Sequence, residues 1–152
     1  MCKTCWILVA LLAALCAGLA YIFVFHGKVE TAPDGRTAIL LQPAERDLVL
    51  AEMRVFLESV QQINAAIAAG DMQQVASAAR RSGRGAQQAV PGSLIGKLPL
   101  PFKRLGFDTH GKFDQLALDA EQLGDPDHAL AQLGTLMQNC VSCHAAYRLE
   151  AR

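Results

Sequence analysis

From Cys5 to Phe25 the chain runs for 21 residues, CWILVALLAALCAGLAYIFVF, without a single charged side chain. As an α-helix rising about 1.5 Å per residue, this stretch matches the roughly 30 Å hydrocarbon core of a bilayer. The competing reading is a cleavable signal peptide, whose apolar region is shorter and is followed by a small-x-small site. Gly18-Leu19-Ala20 has that form, but cleavage there would leave YIFVF on the mature terminus. Length therefore favours an uncleaved anchor over residues 1–27. A lipoprotein reading of Cys16 is weaker, because Leu15 stands where a small residue is wanted. Lys3 precedes the run while Lys28 and Arg36 follow it, so flanking charge does not decide orientation.

The remaining residues are enough for one ordinary domain. Fourteen Lys and Arg balance fourteen Asp and Glu, which leaves no electrostatic case for a nucleic-acid partner. Arg80, Arg81 and Arg84 read as a solvated helix face. Five cysteines, with Cys2, Cys5 and Cys16 in or beside the apolar run, do not form a disulfide framework. The CKTC of Cys2 and Cys5 is followed by Trp6 and reads as incidental.

Residues 28–42 read as a polar linker with turn chemistry at Ala32-Pro33-Asp34-Gly35, and the short apolar piece Ala38 to Leu41 can dock on the domain. Residues 43–152 read as that domain. A first helix opens at Pro43, and Val49, Met53, Phe56, Val60, Ile63 and Ile67 are spaced alternately four and three apart, the seam of a helix bundle. Gly70 ends it. Asp71 caps a second, Ala-rich helix over about 72–89, with Gln74 completing a capping box and Val75, Ala79 and Ala86 inward. Residues 90–107 read as a long irregular connection whose many apolar side chains should pack on something. A third helix from about Asp108 to Leu123 carries His110, Phe113, Ala117 and Ala120 on one face. Gly124-Asp125-Pro126 stops it and starts a fourth, to about Leu149, with Leu133, Met137, Cys140, His144 and Tyr147 inward. The expected fold is all-α, an antiparallel up-and-down four-helix bundle behind a transmembrane helix.

Residues 140–144 read CVSCH. Two thiols separated by two residues on a helix match the two vinyl groups of haem, to which they add as thioethers, and the adjacent histidine offers an imidazole nitrogen to the iron. A redox CxxC normally opens a helix beside a strand, where the helix end lowers a thiol pKa; this one lies late in its helix. A zinc site needs a fourth ligand, and the domain holds no second cysteine pair. The expectation is one covalent haem c on Cys140 and Cys143, with His144 as iron ligand. Because bacteria attach haem outside the cytoplasm, the domain is expected in the periplasm, held at the inner membrane by a single-pass anchor.

Two residues compete for the other face of the iron. Met53 lies on the inner face of the first helix, about three turns in, opposite the end of an antiparallel fourth helix; methionine is equally a common core filler. His110, on the inner face of the third helix, is the weaker candidate, and reads otherwise as a partner for a haem propionate. An open sixth position is the third alternative. His128 and His26 need no role.

The stretch CVSCHAAYR, Cys140 to Arg148, resembles the carboxy-terminal haem motif of the cytochromes c-prime, which are four-helix bundles. His144, Tyr147 and Arg148 also reproduce the His-x-x-Tyr-Arg of the periplasmic b-type four-helix-bundle cytochromes. In that family a methionine followed by apolar residues three, seven and ten positions on is an axial ligand, and Met53, Phe56, Val60 and Ile63 repeat the pattern. The resemblance covers about residues 43–150 and implies Met53 as sixth ligand, with Tyr147 and Arg148 beside the haem. Arg148 would then sit near the haem edge, able to pair with a propionate. The anchor is a departure from both soluble families.

A haem iron held by His and Met is six-coordinate in both oxidation states and suits electron transfer between redox partner proteins along the membrane. The alternative, which the likeness to cytochrome c-prime implies when the distal position is open, is a protein binding nitric oxide or another small gas. An enzyme is not expected, since no distal acid–base constellation stands out. The reading is compatible with a homodimer.

Overall fold

The computed structural model describes residues 3–152. It is 76% helical, with six α-helices and a small three-stranded sheet. Helix α1, Lys3–Ala20, continues into a π-helical turn, Tyr21–His26. Together they are long and apolar enough to cross a membrane, and no side chain along them is buried by the rest of the protein. Gly27 ends this helix at φ 70°, its N–H bonding Ile22 O at 3.0 Å. The carbonyls of Phe23 and Val24, at the helix end, accept from the Lys103 ammonium at 3.0 and 3.1 Å. A cation suits this end of a helix, where carbonyls lack backbone partners. Lys103 is itself buried, and that burial pulls its pKa below the ordinary lysine value.

Residues 28–42 are not a linker. Strand β1, Val29–Thr31, and strand β2, Thr37–Leu41, form an antiparallel hairpin. Its turn uses the expected Pro33-Asp34-Gly35, with Gly35 at φ 82° and Asp34 accepting from the Arg36 N–H at 3.1 Å. β2 is the central strand: on its other side β3, Tyr147–Ala151, pairs parallel to it, Thr37 opposite Tyr147 through Leu41 opposite Ala151. The all-α expectation is corrected here. Ala38 to Leu41 are all buried, so β2 reads as one apolar run instead of an alternation, and a run of four has too little length to declare its period.

Helix α2 spans Pro43–Ala69, capped by Gln42 and Glu45 in a reciprocal box and closed by Gly70 at φ 71°. Of its seam, Val49 and Ile63 are buried while Met53, Phe56, Val60 and Ile67 are half-buried. Helix α3, Met72–Arg80, starts at Asp71, whose Oδ1 accepts from the Gln74 N–H at 2.9 Å. It stops well short of 89. The chain turns at Ser82-Gly83 and goes on as a 3-10 helix, Arg84–Ala89, which leaves Ala86 exposed. The turn is held by tertiary contacts: Ser82 Oγ donates to Ser59 Oγ at 2.8 Å, and the Arg84 N–H bonds Asp114 Oδ2 at 3.1 Å. A Cβ on Gly83 would strike Asp114.

The stretch 90–107 is more ordered than its prolines suggest. A short helix α4, Gly92–Ile95, leads into α5, Leu100–Leu123. α5 begins eight residues before the expected Asp108, because Pro99 and Pro101 fall in and before its first turn, where a missing N–H costs nothing. Gly124 at φ 63° closes it, and α6 runs Pro126–Ala146. The fourth helix therefore ends before Tyr147.

Helices α2, α3, α5 and α6 pack beside one another, α2 on α3, α3 on α5, α5 on α6 and α6 on α2. Ile63, Val75, Phe113, Leu116 and Leu136 fill their centre. A second cluster, Ile39, Leu41, Val49 and Leu94, joins the sheet to the start of α2 and to α4.

Two glycine substitutions should have opposite signs. A Cβ on Gly27 would lie 2.5 Å from Lys97 O at a positive φ, so Gly27→Ala should cost at least about 1–3 kcal/mol, the size typical of such backbone strain. Gly134, inside α6, meets nothing within 4 Å, so Gly134→Ala should stabilise by up to about 1 kcal/mol. Thermal unfolding of the two variants checks both signs.

Candidate cofactor site

The CVSCH motif lies in the last two turns of α6. That helix is started by Asp125, whose Oδ1 accepts from the N–H groups of Asp127 and His128 at 2.9 and 3.2 Å. Ala129, Leu133, Leu136 and Asn139 form its buried face. The neighbouring stripe, Met137, Cys140, Cys143 and His144, borders a cavity of 720 Å³. This corrects one expectation: Met137 and His144 are not core residues but exposed side chains at the cavity edge, while Cys140 and Cys143 are half-buried.

The cavity lies between α6, one face of α2, the 82–98 connection and the first half of α5. Met53, Phe56 and Val60 line it from α2, Leu94 and Leu98 from the connection, Phe102, Leu105 and His110 from α5. Its volume falls within the roughly 300–1,000 Å³ of cofactor and small-molecule sites, and its lining is mostly apolar with a few polar groups. Met53 is thus on the same cavity as Cys140, Cys143 and His144. Its side chain also packs on the cluster of Val49 and Leu94.

Three side chains fix the walls. Asn139, next to Cys140, is buried; its Nδ2 donates to Asp108 Oδ2 at 2.8 Å and Thr109 Oγ1 at 3.1 Å, and its Oδ1 accepts from Lys112 Nζ at 2.9 Å. Arg36, from the hairpin, donates to the carbonyls of His144 and Tyr147 at 3.3 and 3.4 Å, so a cation again meets a helix end. His110, three turns into α5 and 2% exposed, holds the turn after α3: its Nδ1 lies 2.8 Å from Ser82 O, and its Nε2 lies 3.4 Å from Glu52 Oε1. Desolvation pushes the His110 pKa down, but Glu52 and the Ser82 and Gly83 carbonyls outweigh it and the net direction is up. The expectation of a histidine near a helix start is replaced by a buried one in mid-helix.

Cys140 and Cys143 are not joined by a disulfide. Burial raises the Cys140 pKa, and burial together with the neighbouring Cys140 pushes Cys143 up to about 11. Neither has the electropositive setting that lowers the pKa of a redox-active CxxC. Among the described residues, no three His, Cys, Asp or Glu side chains converge as a metal-ion cage. Cys2, the other half of the CKTC pair, lies outside the described residues.

Tyr147 and Arg148 are not on a helix turn beyond His144. They lie on β3, where the Tyr147 ring meets Phe102 edge-on at 5.3 Å between centroids and Arg148 pairs with Asp34 and Glu150, both at 3.2 Å. Neither lines the cavity. Arg36 first, and Arg148 with it, hold the Asp34 carboxyl at about 2, well below its ordinary value. Asn139, Glu52, Ser82 and Arg36 escaped the sequence reading, since each acts through partners distant in the chain. The one local signal was Asn139, a polar residue on the apolar stripe of a helix. No family model, curated protein or solved structure matches the chain.

Asn139→Leu leaves Thr109 and Lys112 without their buried partner and should cost about 1–3 kcal/mol, read as a lower denaturant midpoint. The His110–Glu52 contact has its own pH signature. A histidine raised above its unfolded value of 6.5 contributes stability fully below that value and loses it as pH rises through the folded one. Glu52→Gln should therefore lower the thermal midpoint more near about pH 5.5 than near about pH 9; an equal drop at both would contradict the pairing.

Proposed function

We propose that this chain is a membrane-anchored c-type cytochrome that carries one covalently bound haem in the cavity beside α6 and transfers electrons. The observation that carries the reading is the CVSCH run on one wall of a large, mostly apolar cavity whose facing helix brings Met53 to it. Cys140 and Cys143 would hold the group covalently, and His144 and Met53 would be the protein ligands of its iron. An iron of that kind needs only one or two protein ligands, so a cage of three or more is not expected of this chain. When bound, the haem supplies an iron that changes by one electron.

The chain's own residues do the rest. Phe56, Leu94, Leu98 and Phe102 would exclude water from the group. Asn139 and Arg36 would hold the motif's helix in one position, so that little moves between oxidation states. His110 supports Met53 over itself as sixth ligand: one ring nitrogen is tied to Ser82 O and the other faces Glu52, so binding iron would cost it the Glu52 contact. Methionine has the flexible stem to reach across. Helices α2, α3, α5 and α6 would form the antiparallel up-and-down bundle that the resemblance to cytochromes c-prime implies. The apolar α1 would hold this domain on the periplasmic side of the inner membrane, beside its redox partners. No catalytic residue is proposed.

One observation favours a second reading. Met53 packs on Val49 and Leu94, and a methionine kept in that cluster would leave the sixth position open to nitric oxide or another small gas. The optical spectrum of the full-length protein, oxidised and reduced, separates the two. A low-spin spectrum that turns high-spin in Met53→Ala is expected for electron transfer. A high-spin wild type that takes up nitric oxide would replace that reading with gas binding. Cys140 and Cys143 both found as free thiols after expression with haem-maturation machinery would end the haem proposal.

A further inference from the structure

Residues 90–107, VPGSLIGKLPLPFKRLGF, contain three cations, Lys97, Lys103 and Arg104, and no Asp or Glu; Lys97 is half-buried against the Glu45 carboxylate and Lys103 is buried, so Arg104 is the exposed one. Their inner side chains, among them Leu94, Leu98 and Phe102, line the cavity. Their outer side leaves Ile95, Pro101, Arg104 and Phe107 exposed.

This corner is locked to the end of the apolar helix. Lys103 Nζ bonds Phe23 O at 3.0 Å and Val24 O at 3.1 Å, and the Lys28 N–H bonds Lys97 O at 2.7 Å. Gly96 faces the Phe23 ring, which a Cβ there would meet at 3.4 Å. Phe23 lies inside the uncharged run that ends at Phe25. A chain segment bonded to Phe23 shares its depth. If the run crosses a bilayer, its last turn lies in the headgroup layer, and the α4–α5 corner must lie there as well.

The geometry points to a second membrane contact: the α4–α5 corner is a docking face that rests in the interfacial layer of an anionic bilayer, Ile95, Pro101 and Phe107 toward the acyl boundary and Arg104 toward anionic headgroups. Exposed apolar side chains beside a free cation are a composition that binds such a layer. The inference rests on the reading of α1 as a span. It adds that the domain is not tethered loosely but lies on the membrane in one orientation, with a single layer of chain, residues 90–107, between the cavity and the lipid.

The test uses the full chain, with its cofactor, in vesicles of phosphatidylcholine with and without phosphatidylglycerol. A trace of phospholipid carries a photoreactive diazirine near its headgroup, and adducts are mapped by peptide mass spectrometry. The expected result is labelling of residues 92–107 several-fold above residues 125–135, which start at the opposite end of α5. That labelling should fall when phosphatidylglycerol is omitted or in Arg104→Glu, whose side chain is exposed and whose fold should be unaffected. Labelling within residues 5–25 but not above background in 92–107 would overturn this inference and leave the span standing. No labelling of residues 5–25 would overturn the span itself, and the docking face with it. Labelling of 92–107 that ignores both phosphatidylglycerol and Arg104→Glu would overturn the role given to Arg104.

Discussion

The parallel pairing of β2 with β3 is the constraint around which the rest is arranged. It joins residues 37–41 to residues 147–151, and parallel neighbours cannot be linked by a tight turn. Everything between them, from α2 through α6, is the crossover. The pairing sets the end of the cavity-lining helix directly against the hairpin that follows α1. Two consequences follow locally. α6 must stop at Ala146, because Tyr147 onward is committed to the ladder, and Arg36 of the hairpin is brought within reach of the carbonyls that α6 leaves open. The buried β2 then carries this arrangement into the cluster with Val49 and Leu94, and so to both walls of the cavity.

Around the cavity, polar contacts hold an otherwise apolar shell. Asn139 fastens α6 to α5 one residue before Cys140, and His110 fastens α5 to the turn after α3 and to α2 through Glu52. Each is buried, so each is worth more for the unpaired groups its loss would leave than for the bond itself. The proposed one-electron site would benefit from such fixed walls, and a gas-binding site would use the same walls with Met53 left in its cluster. Lys103 plays the corresponding part at the other end, where it joins the start of α5 to the carbonyls of the apolar helix.

Much of this was legible in the chain. The seam from Val49 to Ile67 needs only the 3.6-residue period, and Gly70, Asp71, Gly124 and Asp125 mark their helix ends through backbone chemistry local to a few residues. The same local chemistry misled in two places. Prolines at 99 and 101 read as loop, although a proline in a first turn is consistent with a helix that begins there. The Ala-rich run after Asp71 reads as continuous helix across Ser82-Gly83, although that pair is itself a turn signal; Ser59, His110 and Asp114, on two other helices, hold the break.

The sequence by itself determined the apolar N-terminal helix, the helices with a long period and the CVSCH motif, because each is written in neighbouring residues. It did not determine the sheet, the partners of Tyr147 and Arg148, or the supports supplied by Asn139, His110 and Arg36. Strand pairing between residues more than a hundred positions apart leaves no periodic trace in either segment. A short buried strand looks the same from sequence as a piece of buried helix, and a polar side chain does not name its partner. Only the closing of the chain on itself decided those, by bringing α2, α5 and α6 around one cavity and the hairpin against the end of α6.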